Sequence, residues 1–255
     1  MVKFFDAHNH LQDYPGPAET EEALREADAE GVEFMLCSSA SPSDWQKVLA
    51  LAAAHKNIVP CFGLHPWFVR RSAPDWLQNL EEFLRRAPAC VGEIGLDGEK
   101  ETDTTLQEEV FTAQLKLAKK LRRPACVHCV NSWGRILEII KKENPGTFML
   151  HSYGGPAEMI EEFSSLGAYF SFSGAVMDAK RKKLREALLA APSERLLFES
   201  ESPKPDAKGR RTGPGFLPEV VSAAADILCR STESLAALSH ANGIKFLGEI
   251  VSERK

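Results

Sequence analysis

Short apolar runs alternate with stretches of helical periodicity from one end of the chain to the other. Residues 2–8 read as a strand, followed by a helix near 18–30, a strand at 33–37 and a helix at 42–55. Strand 58–62 precedes Gly63-Leu64-His65-Pro66, and a helix near 74–86 leads to strand 89–94. A long helix at 104–121 comes before strand 125–129, helix 132–143 and strand 147–151. Helix 156–166, strand 168–172, helix 180–191 and strand 195–199 continue the alternation. A loop at 203–215, rich in proline and glycine with no apolar period, separates these units from closing helices at 217–229 and 233–247.

The pattern gives eight strands, each followed by a helix. Strands separated by helices favour parallel pairing, and eight βα units in 255 residues match a closed (β/α)8 TIM barrel folded as one domain. A doubly wound open sheet is the alternative. Such a sheet gathers its chemistry at one switch point, whereas the candidate residues here follow the first, fourth, fifth, sixth and eighth strands. Residues from strands that far apart meet only if the sheet closes, at the C-terminal ends of the strands.

Those residues are His8, His10, Glu93, His128, His151 and Glu201. His8 and His10 alternate onto one side of an extended chain, with Asp6 below them placed to orient them. Glu93 sits in an apolar strand beside Gly92 and Gly95, so neighbouring groups approach it closely, and it is the expected bridge between two ions. His128 and His151 each end an apolar strand at equivalent barrel positions. Histidine and carboxylate together suit zinc, manganese, magnesium, nickel or iron better than calcium, and the set is large enough for one or two divalent ions. Glu93 and Glu201 are the candidate catalytic carboxylates, Glu201 by taking a proton from water or completing an ion's shell. Asp97 is expected to turn the loop or support the site from behind, and His65 to touch substrate or shape the loop before Pro66. No nucleophile elbow and no glycine-rich phosphate loop is present.

Composition narrows the partners. Apolar residues make up 44% of the chain and charged residues 26%, enough for a large core. A net charge of -5 gives no global attraction to nucleic acid, so polyanion binding needs a local patch or bound metal. Two stretches qualify: Lys180, Arg181, Lys182 and Lys183 with Arg185, read first as the solvated start of a helix, and Lys204, Lys208, Arg210 and Arg211 in the loop after Glu201. No stretch approaches the roughly 20 apolar residues that span a bilayer. No signal-peptide pattern opens the chain, so a cytoplasmic location is expected. Cys37, Cys61, Cys90, Cys126 and Cys129 lie in or beside strands and read as buried, reduced thiols. Cys126 and Cys129 form a lone CxxC, better explained by packing around His128 than by redox or zinc-ribbon chemistry.

Asp6-Ala7-His8-Asn9-His10-Leu11, Gly63-Leu64-His65-Pro66, Gly92-Glu93-Ile94-Gly95-Leu96-Asp97, His128, His151-Ser152-Tyr153-Gly154-Gly155 and Glu199-Ser200-Glu201-Ser202-Pro203 resemble, in order, the signatures of the TatD-type metal-dependent deoxyribonucleases. Asn242-Gly243-Ile244-Lys245-Phe246-Leu247-Gly248 is similar to that family's closing segment. The resemblance implies an amidohydrolase-type barrel, a divalent-metal centre and hydrolysis of nucleic-acid ends or a small phosphoester. It also implies one ion on His8 and His10, another on His128 and His151, and Glu93 between them. Three positions depart from the family pattern: Glu201 stands for an aspartate, Val130 for an arginine and Gly98 for an aromatic residue. Loss of the arginine fork leaves open an amidohydrolase-type attack on an amide, lactone or ester, and Glu201 leaves open a catalytically impaired metal-binding protein.

Overall fold

The computed structural model describes residues 2–99, 104–205 and 211–253. Eight parallel strands close into a barrel in sequence order: β1 Phe4–Asn9, β2 Val32–Ser38, β3 Ile58–Phe62, β4 Cys90–Asp97, β5 Ala125–Val130, β6 Phe148–Leu150, β7 Ala168–Phe172 and β8 Leu196–Phe198. The ring is completed where Asp6 of β1 pairs with Phe198 of β8. Helices α1 Pro17–Ala29, α2 Trp45–Ala54, α3 Trp76–Arg86, α4 Thr104–Leu121, α5 Trp133–Glu143, α6 Ile160–Ser165, α7 Lys182–Ala190 and α8 Leu217–Ile227 follow the strands in turn, and α9 Thr232–Leu247 and α10 Glu249–Glu253 complete the chain.

Alternation along each strand sorts the core into two layers. Side chains facing the helices join one large cluster that includes Phe62, Phe111, Phe148, Phe163 and Phe198. Those facing the barrel axis, among them Phe5, Leu36, Val59, Cys61, Cys126, Met149 and Leu197, form a second cluster. Phe246, Leu247, Ile250 and Val251 of α9 and α10 belong to this inner cluster, and Phe246 meets the Tyr169 ring at 5.5 Å between centroids. The closing segment therefore plugs the barrel. Asn242 holds it in register by donating to the carbonyls of Ser193, at 2.8 Å, and Leu196, at 2.9 Å.

The differences from the sequence expectation lie at element ends. The α2 helix starts at Trp45 instead of 42, because the Asp44 carboxylate accepts from the Ala40 and Ser41 amides and ties residues 40–44 into a turn. Pro156 opens a short 3-10 turn at Ala157–Met159, leaving only Ile160–Ser165 as α6. The loop after β8 carries a small antiparallel pair, β9 Lys204–Pro205 with β10 Arg211–Thr212, where a loop without elements was expected. Lys208 and Arg210 of that loop lie outside the described residues. Finally, β6 and β8 are three residues each, so His151 and Glu199 stand just past the last strand residue.

Candidate metal centre

The β4 strand carries Glu93 into the middle of the barrel mouth because glycine lets it lie hard against both neighbours. A Cβ on Gly92 would come within 2.7 Å of Cys61 Sγ and Cys126 Cβ, and one on Gly95, at φ +148°, within 1.9 Å of the His128 carbonyl oxygen. Glu93 is 3% exposed, and its two carboxylate oxygens face different partners. Oε2 lies 3.4 Å from His8 Nε2 and 3.7 Å from His10 Nε2. Oε1 lies 2.8 Å from His151 Nε2, 2.9 Å from His128 Nδ1 and 3.2 Å from His65 Nε2. Burial pushes the Glu93 carboxyl up, but its electrostatic attraction to the surrounding imidazoles, His151 foremost, and the hydrogen bond from His128 outweigh it and hold the group well below the usual carboxylate range.

The outward nitrogens of four imidazoles face protein oxygens. His10 Nδ1 donates to the Ser38 carbonyl at 2.8 Å, which leaves its Nε2 as a lone pair. The Ser38 hydroxyl sits 3.0 Å from His8 Nδ1. His128 turns Nε2 toward Asp97 Oδ2 at 3.4 Å, and His151 turns Nδ1 toward Glu199 Oε1 at 3.5 Å. Each ring thus directs one nitrogen at Glu93 and turns the other toward a protein oxygen, the orientation in which imidazoles serve as metal ligands, although His151 Nδ1 and Glu199 Oε1 approach without a hydrogen bond. His65 is built the other way. Its Nδ1 accepts from the Trp67 amide at 3.1 Å, so Nε2 carries the proton and donates to Glu93. Burial pushes its pKa down, in keeping with a neutral ring. The expected substrate contact at His65 is therefore a ring 3% exposed with both nitrogens engaged.

Three groups of candidate ligands result, each with donor atoms within 4.8 Å of one another: His8, His10 and Glu93; His65, Glu93 and His128; His151, Glu199 and Glu201. The donor chemistry fits divalent ions. Imidazole nitrogens and the ionised Glu93 carboxylate converge, and that carboxylate has an oxygen for each pair of imidazoles.

Asp6 does not reach the imidazole side chains as expected. It accepts from the Ser200 amide at 2.8 Å, the Ser200 hydroxyl at 2.6 Å and Asn9 Nδ2 at 3.0 Å. Burial pushes its carboxyl up to about 6, while these donors pull the other way. Its effect is to pin the segment after β8 onto β1, a junction extended by Glu201 N–H donating to His8 O at 3.0 Å and His10 N–H to Ser202 O at 2.7 Å. Glu201 stands at φ 50° in this junction, with its carboxylate paired to Lys204. Burial raises its pKa, but Lys204 and His151 outweigh that and bring it down to about 2.

Sequence reasoning missed Glu199 and Ser38. Glu199 is fully buried and also accepts from the Ser152 amide at 3.1 Å; the signal was the one that marked Glu93, an acid at the end of an apolar strand. Ser38 had no such signal, since half its role falls to its backbone carbonyl. Cys126, expected to pack around His128, places Sγ 3.4 Å from His8 Nδ1. Asp97 supports His128 from behind, as expected, and is itself held by Trp67 Nε1 at 2.5 Å. At the two other departures, Val130 pairs with Asp97, and Gly98 packs on the next turn, where a Cβ would lie 3.1 Å from Ser132 Oγ.

Fold and cluster together define a class, the (β/α)8 barrel metal-dependent hydrolases. A family model described as TatD related DNase matches residues 5–248. The chain is 30% identical to the 3'-5' ssDNA/RNA exonuclease TatD of Klebsiella pneumoniae (strain 342), covering 93% of this chain and 95% of that protein. It is 28% identical to the uncharacterized metal-dependent hydrolase YjjV of Escherichia coli (strain K12), over 90% of each. The crystal structure of YjjV, a TatD homolog from Escherichia coli K12, superposes with a TM-score of 0.90 at 25% identity, over 95% of this chain and 97% of that one. The chain belongs to the TatD related DNase family.

Proposed function

We propose that this protein is a cytosolic, two-ion phosphodiesterase that removes nucleotides from the ends of DNA or RNA. The observation that carries the reading is the division of Glu93, one oxygen turned to His8 and His10 and the other to His128 and His151. His8 and His10 would hold one ion through Nε2, and His128, through Nδ1, and His151, through Nε2, would hold the other. Bound divalent ions supply the charge that acidifies a water and neutralises phosphoryl oxygens. Glu201, kept ionised by Lys204, takes the proton from the attacking water or closes an ion's shell. His65 holds Glu93 through its Nε2 proton, and Asp97 and Glu199 hold the second pair of imidazoles. The curated relatives named as 3'-5' ssDNA/RNA exonucleases support the substrate class. Five buried, unbridged thiols, at Cys37, Cys61, Cys90, Cys126 and Cys129, support the location.

The test is to purify the protein without added metal, count bound ions, and follow 3'-labelled single-stranded DNA and RNA with magnesium, manganese or zinc. Metal-dependent shortening is expected, with a loss of at least about 100-fold in His128→Ala. Intact DNA and RNA alongside cleavage of an ester, lactone or amide would overturn the reading.

A further inference from the structure

Next to the metal centre, sharing the backbone of Ser152 with it, is a cleft of 430 Å³ lined by Ser152 and Ser173 and, from the turn into α7 and its first residues, Lys180, Arg181, Lys182 and Lys183. Its size falls in the range of about 300–1,000 Å³ typical of ligand sites. Ser152 directly follows His151, its amide donates to Glu199, and its hydroxyl faces that of Ser173 at 3.2 Å. Arg181 is near one carboxylate, Asp178, at 3.8 Å. The described residues set no carboxylate against the ammonium groups of Lys180, Lys182 or Lys183.

The contrast with the outer face is informative. In the groove lined by α4 and α5, Arg135 meets Glu108 at 2.6 Å and Lys120 meets Glu81 at 2.8 Å, so these two cations are matched within the chain. At the cleft they are not, in a protein whose net charge is -5. A run of cations beside the site, with two hydroxyls opposite and the positive end of the nine-residue α7 helix beneath, is matched by an anion from outside. Val130, at the end of β5, offers no such charge.

We infer that this cleft seats the sugar-phosphate backbone of a single strand beyond the nucleotide being removed. The inference rests on the nuclease reading and adds where the rest of the strand lies. It also implies that the strand is held without base readout. Tyr153, the aromatic residue of this wall, is fully buried with its hydroxyl donating to Pro156 O, so it presents no face for stacking.

The experiment is fluorescence anisotropy of a fluorescein-labelled thymidine 12-mer with EDTA present, so that nothing is cut. The variants are Lys180→Gln/Lys182→Gln/Lys183→Gln and, with the same charge removed elsewhere, Lys116→Gln/Lys119→Gln/Lys120→Gln. Circular dichroism confirms that both fold. The first is expected to bind at least tenfold more weakly, with a slope of log K against log salt shallower by roughly 2, given about 0.7 per phosphate contact on single strands. The second, and an adenine 12-mer on the parent, should stay within threefold. Equal binding by parent and cleft variant overturns the inference and leaves the nuclease reading to the shortening assay. A parent that fails to bind the 12-mer also overturns it. Binding that depends on the three lysines, without metal-dependent shortening, keeps the cleft and removes only the chemistry.

Discussion

Glu93 is useful to the site because it is ionised while buried, and the imidazoles around it make that possible. Without metal, some of those imidazoles carry protons: burial and His151 oppose charge on His8, yet Cys126 and Glu93 raise its pKa to about 10, and Glu93 and Glu199 raise His151 well above the ordinary value against its burial. An ion arriving at the inward nitrogens displaces those protons, so affinity should rise with pH. Metal titrations at pH 6 and pH 8 should give at least tenfold tighter binding at the higher pH; a flat response would mean that the imidazoles are not the ligands. Glu201 is the position that departs from the family while keeping its charge. Glu201→Gln is expected to lower kcat on a single-stranded oligonucleotide by about 100-fold or more, the scale of a lost proton acceptor, and Glu201→Asp to stay within tenfold. If Gln and Asp lose equally, the length of the side chain matters and its charge does not. The charged ligands were legible in the sequence because histidine or glutamate at the end of an apolar strand is conspicuous. The roles of Ser38, His65 and Asp6 were not, since each depends on a partner brought near only by barrel closure.

At the scale of elements, the site is made by close strand contact and by sharp exits from strands. Asn131, Ser152 and Glu201, one past β5 and the others within three residues of the ends of β6 and β8, all have positive φ, at 51°, 43° and 50°. Such turns cost of order 1 kcal/mol each for residues other than glycine, and here they re-aim the chain where ligands leave the barrel. The β4–β5 contact is stricter. Gly95→Ala puts a methyl 1.9 Å from the His128 carbonyl, so it should cost at least about 3 kcal/mol and loosen a ligand strand at the same time. Gly134→Ala, in the first turn of α5 with nothing within 4 Å of the new Cβ, should instead gain up to about 1 kcal/mol. Urea unfolding of the two variants checks the pair, and similar midpoints would remove the argument. Strand and helix order was legible because a change of apolar period marks each boundary. The early turn at Asp44, the shortened α6 and the β9–β10 pair were not, because a side-chain-to-backbone turn, a proline and a local backbone pairing decided them.

At the scale of the molecule, closure is what turns scattered residues into a centre, and closure is sealed from the other end. The inner cluster runs from Phe246 in the plug through Phe5, Met149 and Tyr169 to Cys61 and Cys126, and Cys126 touches His8. Phe246, 1% exposed, fills the base of that stack. Phe246→Ala leaves a cavity in a close-packed interior, which costs about 3–5 kcal/mol. For a chain of this length that lowers Tm by roughly 6–20 °C, at about 2–4 °C per kcal/mol. Ions that bind only the folded barrel add stability by mass action, about 4 kcal/mol at a thousandfold excess over Kd. Plug and ligands share no direct contact, so the two effects should add. Thermal scans of parent and Phe246→Ala, each with and without saturating manganese, should show the same metal increment on two different baselines. A metal increment that vanishes in Phe246→Ala would show instead that the ligands cannot gather over a hollowed barrel, making the plug part of the metal centre.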